Sequence, residues 1–306
     1  MLKSKNMERK EWTLGADDSG RRLDRILRRL LAENSQGAIL SALRKGLVKL
    51  NGKKAQASDL TQEGDILSVA VFLLASNEDT APNRDHQSVQ AKKARPCPYP
   101  IVFENEHLMF IDKPAGISVH DGPDSVAQAF CSCTNNSLSF VSAPLHRLDK
   151  GTSGLLAVSK SAEGARWFCK NIQSRQIKKF YWGIVLGRLS AQEEWTDELE
   201  INGDKKAAKT VATPLKQGAF DGKEITLVQF QIFTGRKRQI RAQSAMRGHP
   251  LLGDKAFGGD ISGAPKGVGG RFYLRSMRME FPENDLGLPP FLEAGEPQDF
   301  LAFFKD

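Results

Sequence analysis

No apolar run in this 306-residue sequence approaches the ~20 residues needed to cross a bilayer, so no membrane-spanning helix is expected. The opening residues, Met1-Leu2-Lys3-Ser4-Lys5-Asn6, have no apolar core behind them and do not read as a secretory signal. Cysteine is scarce: Cys97, Cys131, Cys133 and Cys169 are the four present. Cys131-Ser132-Cys133 is a C-x-C pair without the second pair that zinc sites require, so ordinary reduced thiols are expected and no metal. Walker and Rossmann glycine patterns are missing too, and so is any internal repeat. A soluble, cytoplasmic protein without a cofactor is expected, with a monomer as the default state.

What is present in excess is positive charge. The chain carries a net +8, and residues 1–60 alone hold 14 Lys/Arg against 7 Asp/Glu. A basic segment of this kind suits a polyanion. Leu23, Ile26, Leu27 and Leu30 recur at helical spacing, which predicts a helix with Arg22, Arg25, Arg28 and Arg29 off its apolar stripe. Ser35 is a plausible N-cap for a second helix, with Ile39, Leu40 and Leu43 inward and Gly46 ending it. Leu47-Val48-Lys49-Leu50 reads as a strand, Asn51-Gly52 as a hairpin turn, and Ile66 to Val71 as another strand. The order helix–helix–strand–turn–strand, with Arg22-Leu23-Asp24 and Val48-Lys49-Leu50-Asn51-Gly52-Lys53, resembles the S4 RNA-binding module. That resemblance implies an RNA-binding domain over 20–74, with Arg22, Arg25, Arg44, Lys45 and Lys53 as phosphate contacts. Gln36-Gly37-Ala38 follows Ser35 where the module often has a basic residue. Residues 75–98, rich in Ser, Asn, Asp, Gln, Lys and Pro, read as a flexible tether.

A larger domain is expected over 99–306. Strands are anticipated at Ile101-Val102-Phe103, Leu108 to Ile111, Phe180 to Leu186 and Ile225 to Ile232, and a helix over 161–174 with Ala165, Phe168, Cys169 and Ile172 inward. Strands and helices do not alternate regularly, which argues for an α+β fold with a mixed, mainly antiparallel sheet flanked by helices.

The most specific stretch is His146-Arg147-Leu148-Asp149-Lys150-Gly151-Thr152-Ser153-Gly154-Leu155-Leu156. An isolated Asp before a glycine turn is commonly a turn residue. The whole run, with Lys179-Phe180-Tyr181 and Thr234-Gly235-Arg236-Lys237-Arg238-Gln239-Ile240-Arg241, resembles the ribosomal large-subunit type of RNA pseudouridine synthases, the RluA-like group. The likeness extends over nearly all of 99–282. Asp112-Lys113-Pro114-Ala115-Gly116 and Gly248-His249-Pro250-Leu251-Leu252-Gly253-Asp254 support it without adding chemistry. Departures are Asp112 for a usual asparagine, Lys237-Arg238 for a usual Thr-His, and Phe257 for a usual tyrosine.

The resemblance implies that Asp149 is the essential carboxylate, that Arg241 pairs with it, and that Tyr181 stacks on the target base. It also implies that Arg147 braces the position the flipped uridine vacates, with Lys150, Lys178 and Arg236 as further basic contacts. Turning uridine into pseudouridine breaks the C1′–N1 bond and makes a C1′–C5 bond without redox change. A carboxylate can serve by trapping the electron-poor sugar or by removing a sugar proton. The expected partner is RNA, with 23S ribosomal RNA favoured by the S4-like module. The alternatives are a synthase acting on transfer RNA and a non-catalytic RNA-binding ribosome-assembly factor. Residues 187–225 diverge most from the family pattern and are candidates for reading the target.

Overall fold

The computed structural model describes residues 7–74, 97–131, 137–201, 203–259 and 271–304. Nearly all of the expected tether, together with the Cys131 side chain and Cys133, lies outside them. The chain divides into two units. One comprises Met1–Arg95 with Cys131–Ser142 and Ser161–Glu163; the other comprises Pro96–Phe130, Ala143–Lys160 and Gly164–Asp306. Among the described residues no helix is long and apolar enough to cross a membrane.

In the N-terminal unit the anticipated order is present, preceded by a strand that the sequence reading did not anticipate. β1 (Arg9–Thr13), α1 (Leu23–Leu30), α2 (Gln36–Arg44), β2 (Val48–Leu50), β3 (Lys53–Lys54) and β4 (Ile66–Ala70) follow one another, and the sheet order is β1-β4-β2-β3. β1 escaped notice because Trp12 is its only large apolar residue. Leu23, Ile26 and Leu27 of α1 are fully buried and pack with Ile39 and Leu43 of α2 over Val48, Leu67 and Val69 of the sheet. Ser35 caps α2 as expected, accepting a hydrogen bond from the Ala38 amide at 3.3 Å. Asn51 (φ 51°) and Gly52 (φ 75°) both take left-handed backbone, as the tight hairpin turn requires.

The larger unit is built on one sheet. Its elements are β5 (Ile101–Glu104), β6 (Leu108–Lys113), α3 (Val126–Cys131), β7 (Ser153–Ser159), α4 (Ala162–Gln173), β8 (Lys178–Leu186), β9 (Glu193–Ile201) and β10 (Asp204–Phe220). They continue with β11 (Lys223–Ile232), α5 (Gln239–Met246), β12 (Leu274–Glu280), β13 (Phe291–Glu293) and α6 (Gln298–Leu301). The strand order is β5-β6-β7-β12-β8-β11-β10-β9, with β13 beside β12. β7 and β12 run parallel, and the other pairs are antiparallel. The mixed, mainly antiparallel α+β architecture is therefore as read from the sequence.

Two expected inward residues are not inward: Leu40 of α2 is exposed between buried Ile39 and Leu43, and the second lies in α4. Cys169 of α4 is exposed, while Phe168 is fully buried. The reason is Gly164: a Cβ there would lie 2.3 Å from the His107 carbonyl oxygen, so the helix rests directly on that backbone. This centres the buried face on Gly164 and Phe168 and turns Cys169 to solvent.

Candidate active site

Asp149 lies in the loop that leads into β7, and three contacts fix that loop. The Thr152 amide closes a turn on the Asp149 carbonyl at 2.9 Å. The carbonyl of Lys150 accepts the Gly116 amide at 2.8 Å and the Lys113 ammonium at 3.4 Å. Lys113, at the end of β6, is 0% exposed, and its Nζ also donates to the carbonyls of Pro114 and Ile117 at 2.9 and 2.8 Å. Burial pushes this lysine down to about 8, with the negative charge of Asp149 opposing the shift. A motif that looked free of chemistry thus supplies a buried cation beneath the Asp149 loop. Asp112, the neighbouring departure from the family pattern, is matched by Arg275 on β12, whose Nη2 donates to its carboxylate at 2.6 Å.

Arg241 projects from α5 and touches Asp149 through one contact, Nη1 to Oδ2 at 3.2 Å. Its main partner is a different acid. Nε and Nη2 grip both oxygens of Asp254 at 2.7 and 2.8 Å, and Asp254 is 1% exposed. The guanidinium also lies 4.2 Å from the ring centre of Phe272 and 4.9 Å from that of Phe257. Two rings and a bidentate carboxylate hold a planar cation rigidly. Asp254 went unrecognised as a site residue, although it stands in the quoted Gly248 to Asp254 run; a carboxylate 13 positions along from the arginine, in a loop, has no periodic link to it.

The start of α5 is set by side chains that substitute for a cap. Arg238 takes left-handed backbone (φ 58°) and makes no side-chain cap. Instead Gln239 Oε1 accepts the Thr234 hydroxyl at 2.7 Å and the Arg236 amide at 3.0 Å, while its Nε2 donates to Thr210 and to the Lys209 carbonyl. Gln243, one turn on, accepts from the Thr210 hydroxyl at 2.6 Å and donates to Asp197 at 2.6 Å. The buried glutamines lock α5, and with it Arg241, onto β9 and β10.

Tyr181 sits in β8, opposite Ser276 of β12 and Phe230 of β11, and is 6% exposed. Burial pushes its phenol up to about 12; the hydroxyl of Ser276 opposes this and the charge of Asp149 adds to it. Ser276 also pairs with Gly154. A Cβ on Gly154 (φ +100°) would lie 2.1 Å from the Ser276 carbonyl oxygen. Glycine at this signature position therefore lets the aspartate loop's strand meet β12 closely. His146 is structural: its Nε2 accepts the Ala157 amide at 3.1 Å, and burial, with Lys179 nearby, pushes the ring down to about 3.

Asp149, Tyr181 and Arg147 share a cleft of about 550 Å³. Its lining carries seven Lys or Arg side chains against one carboxylate, that of Asp149. Arg147, Lys178 and Arg236, expected as RNA contacts, are among them, and Arg241 adjoins the same Asp149 and Tyr181 side chains. Lys150 does not line it. Arg22, Arg25, Arg44, Lys45 and Lys53 belong to the N-terminal unit and are exposed there; Arg22 is engaged with Asp24 at 3.2 Å. No group of three or more His, Cys, Asp or Glu stands ready for a metal among the described residues.

A basic cleft around a carboxylate held by arginine, next to a strand tyrosine, suits a polyanionic substrate. The comparisons name the class. The family described as RNA pseudouridylate synthase matches residues 107–246. Ribosomal large subunit pseudouridine synthase C of Vibrio parahaemolyticus is 28% identical over 286 residues, covering 88% of each chain. The mitochondrial tRNA pseudouridine(32) synthase of Saccharomyces cerevisiae is 29% identical over 239 residues, covering 74% of this chain and 48% of its own. The solved structure of human RNA Pseudouridylate Synthase Domain Containing 1 superposes with a TM-score of 0.54 at 20% identity, covering 67% of this chain and 85% of that one. Residues 107–246 thus carry the pattern of the RNA pseudouridylate synthases, and together these likenesses indicate an RNA pseudouridine synthase, an isomerase of uridine in RNA.

Proposed function

We propose that the protein converts a uridine of large-subunit ribosomal RNA to pseudouridine, with Asp149 as the reacting carboxylate. The observation that carries the role of Asp149 is its one-sided restraint. Arg241 holds Oδ2 alone, at 3.2 Å, and spends its bidentate face on Asp254. The carboxylate is therefore oriented and balanced in charge while Oδ1 is left to meet the sugar. The target nucleotide must leave its stack to reach it, and the basic lining of the cleft offsets the repulsion of its phosphates.

Tyr181 forms the wall on which the base lies. With its phenol held up at about 12, it meets the base as a neutral ring and hydrogen-bond donor. Arg147, exposed beside Asp149, fills the vacated place in the RNA. The reaction is redox-neutral and asks for no cofactor.

Ribosomal RNA is favoured over transfer RNA because the relatives named for the large subunit match the greater part of this chain and of their own. The N-terminal unit, with its S4-like order of elements and exposed Arg25, Arg44, Lys45 and Lys53, adds a second grip on folded RNA. In this reading 20–74 holds RNA, 75–98 tethers, 99–306 catalyses, and the enzyme acts as a cytoplasmic monomer.

Asp149→Asn tests the chemistry: pseudouridine formation should vanish while RNA affinity stays close to that of the parent. Lost binding with normal turnover of the bound complex would contradict the assignment. Mapping pseudouridine in total RNA with and without the gene tests the target, and losses confined to transfer RNA would overturn the ribosomal choice.

A further inference from the structure

From Val228 onward β11 alternates buried and outward residues as a sheet strand should. Val228, Phe230 and Ile232 are buried, while Gln229 and Gln231 are polar and only partly covered. The next outward position calls for another polar residue, and it is Phe233, 38% exposed. An aromatic ring left in water on the wall of a functional cleft asks for an occupant.

The ring is not on a loose loop. The Phe233 amide donates to the Lys209 carbonyl at 3.0 Å. The next residue, Thr234, accepts the Lys209 amide at 3.0 Å and donates to buried Gln239 at 2.7 Å. Lys209 Nζ lies 5.4 Å from the ring centre and is itself tied to Glu194 at 2.8 Å. The ring is thus presented from a backbone fixed on both sides, in the cleft that holds Asp149 and Tyr181.

Its surroundings say what it would take. Arg236 and Lys237 follow within four residues and line the same cleft, with Arg236 Nε anchored on the Ala207 carbonyl at 3.0 Å. An apolar protein surface would gain little from a single ring set among cations. An unpaired nucleotide matches both features, with a π-face for the ring and a phosphate for the cations. Flipping one uridine leaves its neighbours without a stacking partner.

We propose that Phe233 is a stacking site for an unpaired base flanking the target uridine, with Arg236 and Lys237 taking the adjoining phosphates; this rests on the RNA pseudouridine reading above. The site selects for RNA that is single-stranded next to the target and tolerates any base there, because every base has a π-face.

The test uses the full chain and total RNA from cells lacking the gene, labelled with tritium at uridine C5. Each pseudouridine formed releases the C5 hydrogen to solvent. Base–aromatic stacking is lost on substitution by alanine, so Phe233→Ala should raise KM ~5- to ~150-fold, the effect falling on KM rather than kcat. Phe233→Leu should resemble the alanine variant, and Phe233→Trp should match or improve on the parent. A parental KM in Phe233→Ala or Phe233→Leu, or a fall in kcat at unchanged KM, would overturn the stacking site alone. No tritium release by the parent itself would overturn the pseudouridine reading and this proposal with it.

Discussion

Removing the Asp254 side chain isolates the arginine that organises the site. Arg241 makes a single 3.2 Å contact to Asp149 and is 10% exposed between two rings, so Asp254→Ala leaves a buried guanidinium without its bidentate partner. Breaking a buried pair from one side typically costs ~3–5 kcal/mol. For a unit of this size each kcal/mol moves the midpoint by ~2–4 °C, so Tm should fall by ~6–20 °C. Turnover should fall too, by ~10-fold or more, because the freed guanidinium moves fully onto Asp149 and covers the oxygen that reacts. Tryptophan fluorescence during urea and thermal unfolding is a suitable assay, since Trp167, Trp182 and Trp195 all lie in the larger unit. The decisive control is Arg241→Met with Asp254→Leu. Replacing both charges by apolar side chains should recover most of the stability, with Met packing between Phe257 and Phe272, and none of the activity. Asp254→Ala within ~1 kcal/mol of the parent, or a double variant no more stable than the single one, would refute the reasoning.

Lys113 predicts a pH effect of definite sign. Its folded value of about 8 lies below the ordinary 10.5, so between these values the unfolded chain binds the extra proton and stability rises with pH, by ~3 kcal/mol in all. Urea unfolding at the two ends of that window should show the rise in the parent and lose it in Lys113→Met; equal slopes would contradict the burial argument. Gly154→Ala forces a Cβ to within 2.1 Å of the Ser276 carbonyl at a φ of +100°, so it should destabilise by more than the ~1 kcal/mol of an ordinary glycine exchange and abolish activity. A parental melting curve by circular dichroism would show that the strand pair tolerates the extra carbon.

The residues proposed to do the chemistry were easier to find in the sequence than the residues holding them. Asp149, Tyr181 and Arg241 stand in runs of distinctive composition, and the fold brings all three together. Asp254, Phe257 and Phe272 were invisible as a group because they meet Arg241 through tertiary contact alone. Lys113 reads as a surface lysine, and only the convergence of three carbonyls explains its burial. The hairpin of β9 and β10 was missed for another reason. Glu193, Glu194, Glu198 and Glu200, with Lys205, Lys206 and Lys209, occupy much of its length, and the inward set is reduced to Trp195, Leu199, Ala208, Ala212 and the polar Thr210. A strand at the rim of a sheet needs few apolar residues, so periodicity is faint where the exposed surface is greatest.

β12 lies between β7 and β8, and Ser276 pairs with Gly154 on one side and Tyr181 on the other. The aspartate loop and the tyrosine strand are thus joined by a segment made more than a hundred residues after the aspartate. Before β12 is made, the strands on its two sides, β5-β6-β7 and β8-β11-β10-β9, lack the strand that joins them, and each set carries part of the proposed site. At ~5–20 residues per second, translation delivers the missing strand several seconds after Asp149. Until then the nascent chain contains Asp149, Tyr181 and Arg241 but not the strand that joins their supports, so the proposed site forms only once β12 has been made.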